Sequence, residues 1–326
     1  MIDSTSMQTL VPVHKATLDP LLNHFHVTVR LKPEECDLQP HTAPSYLLRR
    51  DRLYWTVRND RCLADKTGKE VYTFDKVYGP KAQTQQIFNE DFNNMVSNAL
   101  RGYNVMIAAY GQTSTGKTHT MKGSNDQPGI IELAARRLFE QLGYLLTDEV
   151  MWNTHFGHSP DSGASADHEK CEKTGVNRKA TISVQYLEIY NESVNDLLRE
   201  NNRNLDIRET KEGSIFVQDL SCMRVNNASE LVEFQMKGDA LRMVAETKFN
   251  SQSSRSHSVF RINIDLEDQN LQTMRCIKKT SQINFVDLAG SEGASKCKSL
   301  GLRLREGGNI NKSLLALSNV IHKLSQ

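Results

Sequence analysis

Gly111-Gln112-Thr113-Ser114-Thr115-Gly116-Lys117-Thr118 is the stretch on which the reading of this chain turns. It has the phosphate-loop form: a glycine, four residues, a second glycine, a lysine and a hydroxyl residue. Each fixed position answers a physical need. Glycine lets backbone N–H groups turn inward around an anion with no Cβ in the way. Lys117 reaches terminal phosphates as a point charge, and the Thr118 hydroxyl takes one position around Mg²⁺. Just upstream, Val105-Met-Ile-Ala-Ala-Tyr110 is an apolar run of strand length. Downstream, Thr118-His-Thr-Met121 opens a helix whose N-terminus faces the phosphates. Strand, loop and helix are the context the pattern requires; on its own letters the string also reads as a Gly/Ser/Thr-rich turn.

The chain has 326 residues, enough for one large domain or two ordinary ones. Lys plus Arg is 40 against 39 for Asp plus Glu, so no global basic field points to nucleic acid. An acidic partner has to be met by a local patch. No apolar run approaches the ~20 residues of a membrane span. The first 22 residues lack the basic start and apolar core of a secretory signal. The six cysteines are scattered with no C-x-x-C pair, which fits reduced thiols in a cytoplasmic protein.

Residues 1–23 read as a loosely ordered leader. His24-Phe-His-Val-Thr-Val-Arg-Leu31 alternates like a strand and stops at Pro33. Between residues 84 and 103, Ile87, Phe88, Phe92, Met95, Val96 and Leu100 recur at helical spacing and end at Gly102. A second amphipathic helix covers 128–139. Residues 147–178 turn to Gly, Ser, Asp and His with few apolar positions, which reads as an inserted surface loop. Strands follow at 180–190, 214–218, 260–266 and 283–288, the last nearly continuously apolar and so central to a sheet. Helices are expected at 228–245 and 309–324, the second with Ile310, Leu314, Leu315, Leu317, Val320, Ile321 and Leu324 on its apolar side. Strands alternating with helices, without internal repeats, mean α/β.

A phosphate loop needs partners for the metal and the attacking water. Val286-Asp287-Leu-Ala-Gly290-Ser291-Glu292 puts an acid at the end of an apolar strand, where a Walker-B carboxylate holds the metal shell. Gly290 follows, its backbone N–H placed to meet the γ-phosphate as the loop closes. Asn250-Ser-Gln-Ser253-Ser254-Arg255-Ser256-His257 is dense in hydroxyls around one fixed charge. Hydroxyls ligate metal and orient water, and Arg255 is a partner for Glu292 when the loops close. Taken singly, the serine-rich string also reads as an exposed turn and Asp287 as a strand-end residue.

Together these three segments resemble the kinesin motor domain. The Asn-x-x-Ser-Ser-Arg-Ser-His and Asp-Leu-Ala-Gly-Ser-Glu strings follow the loop in that family's order. The resemblance runs from about His24 to the end and takes in Arg30-Leu-Lys-Pro33, Tyr186-Leu-Glu-Ile-Tyr-Asn-Glu192 and Asn309-Ile-Asn-Lys-Ser-Leu314. Leu205-Asp-Ile-Arg-Glu and Val320-Ile-His-Lys-Leu-Ser325 look most like its centromere-associated class. The resemblance implies a P-loop NTPase-type, mostly parallel central sheet flanked by helices, and an ATP-hydrolysing, microtubule-binding motor domain of the cytoskeleton. Gly111 to Thr118 would bind ATP phosphates, with Arg30, Pro33 and His119 beside the adenine. Ser253 and Ser254 would position water and Mg²⁺, with Thr118 and Asp287 completing the metal site. Arg255 and Glu292 would pair to close the two switches, supported by Asn250. Lys296, Lys298, Arg303, Arg305, Lys312 and Lys323 would form the microtubule-facing patch.

The chain departs from the family at its C-terminal end and at single positions. Family members continue with a further loop and helix, a strand inserted near the middle of the sheet, a last helix and a neck linker. None has a counterpart after Gln326, so the resemblance implies a partial head lacking its C-terminal strand and helices. That leaves a second function open: a non-catalytic, kinesin-derived module that binds nucleotide or microtubules without turnover. Gly293 also stands where the family commonly has Arg. Finally, the insertion holds His155-x-x-His158 and His168-x-x-Cys171, whose paired gaps suit a Zn²⁺ site or simply a histidine-containing loop.

Overall fold

A computed structural model describes residues 7–15, 25–33, 55–65, 67–147, 176–249, 253–270, 275–292 and 302–324. In chain order the first strands are β1 (Met7–Lys15), β2 (Thr28–Leu31), β3 (Trp55–Val57), β4 (Cys62–Asp65), β5 (Val71–Thr73) and β6 (Lys76–Tyr78). A helical stretch comprises α1 (Thr84–Ile87), a π-turn at Phe88–Phe92 and α2 (Asn93–Leu100). Then come β7 (Asn104–Gly111), α3 (Lys117–Lys122), the small hairpin β8 (Gly123–Ser124) and β9 (Gln127–Pro128), and α4 (Ile130–Thr147). Next are β10 (Val176–Tyr190), β11 (Ser193–Asp196), β12 (Arg203–Leu205), β13 (Ile207–Glu209), β14 (Ile215–Val217), β15 (Met223–Val225) and α5 (Ala228–Phe249). The described chain closes with a 3₁₀ turn (Ser253–Arg255), β16 (Ser256–Asn270), β17 (Cys276–Asp287) and α6 (Leu302–Leu324).

The main sheet runs β12-β11-β10-β16-β17-β7-β1-β2-β6, with β15 added against β10. The α/β class holds, but the sheet is mixed rather than mostly parallel. Among the described strands, parallel pairing is confined to β17–β7 and β2–β6. The reason lies in the connections. A short link such as the one joining β16 to β17 closes only an antiparallel pair, whereas a parallel pair needs a crossover of about a dozen residues or more. β17 is central as its composition predicts, with β16 on one side and β7 on the other.

Residues 1–23, read as a loose leader, contribute β1 to the middle of this sheet. Gln8 to Lys15 pair antiparallel with Gly111 to Asn104 of β7, and Met7 to Leu10 pair with Leu31 to Thr28 of β2. Pro12 disguises the strand, because proline cannot donate to a ladder. It falls beyond the stretch that pairs with β2, where, among the described residues, β1 is bonded on one edge only.

The core lies between the sheet and α2, α4 and α5. Ile87, Phe88, Phe92, Val96 and Leu100 are buried there with Leu138, Tyr186, Leu231, Phe260 and Phe285. Phe88 and Phe92, four residues apart and so on one face of the helical stretch, are both buried across the π-turn. A smaller cluster of Val29, Leu31, Trp55, Leu63 and Val77 stands under β3–β5. The expected apolar side of the last helix is not a core face: Leu315 and Val320 are 62% and 52% exposed. The 147–178 insertion is bounded more tightly by structure, since α4 extends to Thr147 and β10 begins at Val176. His155, His158, His168 and Cys171 lie outside the described residues.

Candidate functional site

The site forms where β7 and β17 run parallel and end together, Asp287 opposite Ala109. Loops leaving the carboxyl ends of adjacent parallel strands make a natural ligand crevice. From β7 the chain enters the phosphate loop, where Ser114 and Gly116 take positive φ values of 65° and 98°. Gly116 caps α3 in the left-handed conformation that glycine adopts without strain. Lys117 is buried, its Nζ donating to the carbonyls of Gly111 (2.9 Å) and Gln112 (2.8 Å). Burial lowers its pKa, while the charges of Asp287 and Glu292 act in the opposite direction. Thr118 Oγ1 donates to Asp287 Oδ2 at 2.6 Å. Asp287 Oδ1 is buried with no hydrogen-bond partner among the described residues.

The segment after β17 is fastened along the phosphate loop. Leu288 N–H donates to Ala109 O (3.3 Å), Ser291 N–H to Gly111 O (3.0 Å) and Gly290 N–H to Ser254 O (2.8 Å). Both carboxylate oxygens of Glu292 accept from Thr113, from its N–H at 2.8 Å and from its hydroxyl. Burial opposes ionisation of Glu292, but the Thr113 hydrogen bonds and the Lys117 charge outweigh it and hold the carboxyl below its ordinary range. In this arrangement the Glu292 carboxylate is held by Thr113. Gly290 has no room for a side chain, since a Cβ there would lie 2.4 Å from Glu292 and Thr113 oxygens.

One cleft of about 1070 Å³ gathers most of the expected residues: Arg30, Pro33, Thr113 to His119, Ser254 and Asp287. Arg30 is buried and clamped, donating to Thr84 Oγ1 (3.0 Å), Thr120 Oγ1 (2.8 Å) and Ala82 O (3.1 Å). His119 is held neutral by burial and by the Arg30 charge, both of which lower its pKa. Asn250 lies outside the described residues, Ser253 is placed in the 3₁₀ turn by its backbone alone, and Arg255 is half-buried in that turn. Sequence reasoning missed Thr84 and Thr120, which fix Arg30, and Lys32, whose Nζ donates to Ser114 O at 3.0 Å. Their hydroxyls and charge carry no local signature, since each contact joins distant parts of the chain.

His257 was also passed over, although it ends a string already singled out. It is 7% exposed, accepts from Ala289 N–H at Nδ1 (3.0 Å), and has Nε2 2.7 Å from Ser313 Oγ of α6. Burial, then the Arg242 charge, pushes its pKa down to about 4. Arg242 is itself buried, bonded to Glu188 (3.2 Å) and to the carbonyl and hydroxyl of Ser256. Of the basic patch, Lys312 pairs with Glu192 at 3.0 Å and Lys323 is exposed. Arg303 and Arg305 fall on α6 by backbone only, while Lys296 and Lys298 lie outside the described residues. No helix among the described residues is long and apolar enough to cross a membrane.

Comparison with known proteins gives a consistent answer. A family model described as the kinesin motor domain matches residues 49–326. Kinesin-like protein KIN-7O of Arabidopsis thaliana is 33% identical over 309 residues, covering 94% of this chain and 21% of that protein. Kinesin-like protein KIN-7L of Oryza sativa subsp. japonica is 38% identical over 255 residues, covering 78% of this chain and 35% of that protein. The solved structure of a fast kinesin superposes with a TM-score of 0.65 at 29% identity, over 87% of this chain and 70% of that one. The chain thus spans about a fifth to a third of the length of these curated relatives. The centromere-associated class finds no support among them. The chain belongs to the kinesin motor-domain family.

Proposed function

We propose that this chain is the nucleotide-hydrolysing, microtubule-binding part of a motor protein, working on the cytoplasmic microtubule cytoskeleton. The observation that carries the reading is the single cleft into which β7 and β17 deliver Lys117, Thr118 and Asp287, with Ser254 facing them. ATP phosphates would lie in the loop from Gly111 to Thr118, with Lys117 leaving the Gly111 and Gln112 carbonyls to meet them. Arg30, Pro33 and His119 would flank the base at the other end of the cleft.

The donor set fits Mg²⁺. Thr118, Ser254 and Asp287 offer oxygen only, the ligand type this hard cation takes. Oδ1 of Asp287, a buried acceptor without a partner among the described residues, suits a cation or donor. When bound, the metal neutralises charge on the phosphate oxygens. The protein's own part is positioning. Ser253 and Ser254 would orient water, Gly290 N–H would turn from the Ser254 carbonyl toward the γ-phosphate, and Glu292 would leave Thr113 for Arg255 as the loops close. Lys312 and Lys323, with Arg303, Arg305, Lys296 and Lys298, would meet the acidic microtubule surface.

Equilibrium binding of a fluorescent ATP analogue tests the site. Affinity should depend on Mg²⁺, fall on Asp287→Asn, and fall about tenfold or more for Lys117→Ala, as loss of charge-assisted phosphate contacts predicts. Binding indifferent to Mg²⁺ and to Lys117 would remove the reading.

A further inference from the structure

His257 stands where three segments meet, and each ring nitrogen serves a different one. Nδ1 accepts from the N–H of Ala289, in the segment after β17 that also carries Glu292. An accepting Nδ1 in a neutral ring leaves the proton on Nε2, which then donates to Ser313 Oγ on α6. The ring is buried and Ala289 is completely so, hence the Ala289 end of this bridge is not replaced by water without cost, while Ser313 is half-buried.

Three residues upstream, the Ser254 carbonyl takes the N–H of Gly290. The start of β16 and the turn before it therefore grip two consecutive residues of the segment, Ala289 through the imidazole and Gly290 through a carbonyl. On the far side, Ser313 adjoins Lys312, whose ammonium holds Glu192 in the turn between β10 and β11. The segment at Ala289 and Gly290 lies beside the phosphate loop, with Glu292 on Thr113 a few residues on. A shift of that segment must either drag the imidazole, and Ser313 with it, or break one of two short hydrogen bonds.

We infer that His257 is a positioning residue that couples the segment after β17 to helix α6, as a neutral imidazole of fixed tautomer donating to Ser313. The inference rests on the nucleotide and microtubule reading above, because it says how occupancy of the cleft is felt at the helix that carries Lys312 and Lys323. The ring gives direction to the coupling: its Nδ1 end follows the segment, its Nε2 end moves the helix. The Arg242–Glu188 pair behind Ser256 gives the start of β16 a rigid footing, so that the ring transmits displacement instead of absorbing it.

The test starts at the helix end of the bridge. Ser313→Ala removes the acceptor while leaving Ala289 bonded to His257. Basal ATP hydrolysis and nucleotide affinity should stay within about twofold, while microtubule-stimulated kcat falls about tenfold, a size typical of coupling between sites. The microtubule KM should change little, and Ser313→Thr, which keeps the hydroxyl, should restore stimulation. His257→Asn keeps an acceptor for Ala289 on a side chain too short to reach Ser313. It should reproduce the loss of stimulation, and the double variant should be no worse than either single one. Additive losses, or full stimulation in Ser313→Ala, would overturn the inference. A second readout needs no turnover: amide exchange at residues 288–290 of the whole chain should quicken about tenfold in Ser313→Ala as the ring loses its anchor. Unchanged exchange overturns the coupling even if the chain hydrolyses nothing, whereas quickened exchange in a chain without ATPase activity leaves the coupling and overturns the functional reading.

Discussion

β7 and β1 lie side by side through the middle of the same sheet, yet they are there for different reasons. β7 is specified by its own letters: Val105, Ile107, Ala108 and Ala109 are buried, and a continuous apolar run of that length has few other places to go. β1 is specified by its neighbours. β7 and β2 each present a row of backbone donors and acceptors, and β1 satisfies both rows where they face each other. Central position in a sheet thus has two sources, burial of side chains and pairing of edges, and only the first leaves a pattern in the sequence.

The comparison is broken most severely by a second proline. Leu10 pairs with Ala109 on one side and Thr28 on the other, so Leu10→Pro removes a donor where β1 is bonded on both edges. Thermal unfolding should drop by roughly 10 °C, as the loss of several kcal/mol implies for a domain of this size. Pro12→Ala, at the singly bonded end, should be neutral or slightly stabilising. Equal effects from the two substitutions would mean that β1 is not held by pairing.

On the β7 side the expected losses are chemical. Lys117→Ala should lower ATP turnover about 10²-fold or more, the scale seen when one transition-state charge contact is removed. The fold should hold, since the variant gives up a desolvated cation whose partners are loop carbonyls. Arg30→Ala should act in between. It removes the buried donor to the Thr84 and Thr120 hydroxyls, costing about 1–3 kcal/mol of stability, and weakens nucleotide binding at the same time.

The site was legible in the sequence to the extent that its chemistry is local. The phosphate loop, the Asp287 to Glu292 string and the Ser253 to His257 string each hold their requirements within eight residues, so each is recognisable from its own letters. What was not legible spans distance. Thr113 reaches Glu292, Arg30 reaches Thr120, and His257 reaches Ser313, and nothing in either member of these pairs names the other. The same limit explains β1, whose Pro12 argues against a strand until the edge it leaves unbonded is known. It also bears on α6, where helical spacing gives the helix an apolar side but Leu315 and Val320 on it are exposed.

A further effect expected is one of pH. His257 titrates near 4 in the folded protein, below its ordinary value, because burial and the Arg242 charge outweigh Asp287 and Glu192. As pH falls below about 6.5 the unfolded chain takes up a proton that the folded one refuses, so stability declines progressively until the folded ring titrates near 4. In His257→Asn this acid limb should flatten, measured by denaturant midpoints from pH 7 to pH 4; an unchanged slope would place the titration elsewhere.

The most direct measurement is phosphate release from Mg·ATP by this chain, with and without microtubules, at low salt. The account predicts turnover that microtubules stimulate strongly and that Lys117→Ala abolishes. Tight, Mg²⁺-dependent nucleotide binding with no turnover in either condition would contradict it and leave a binding module in place of a motor.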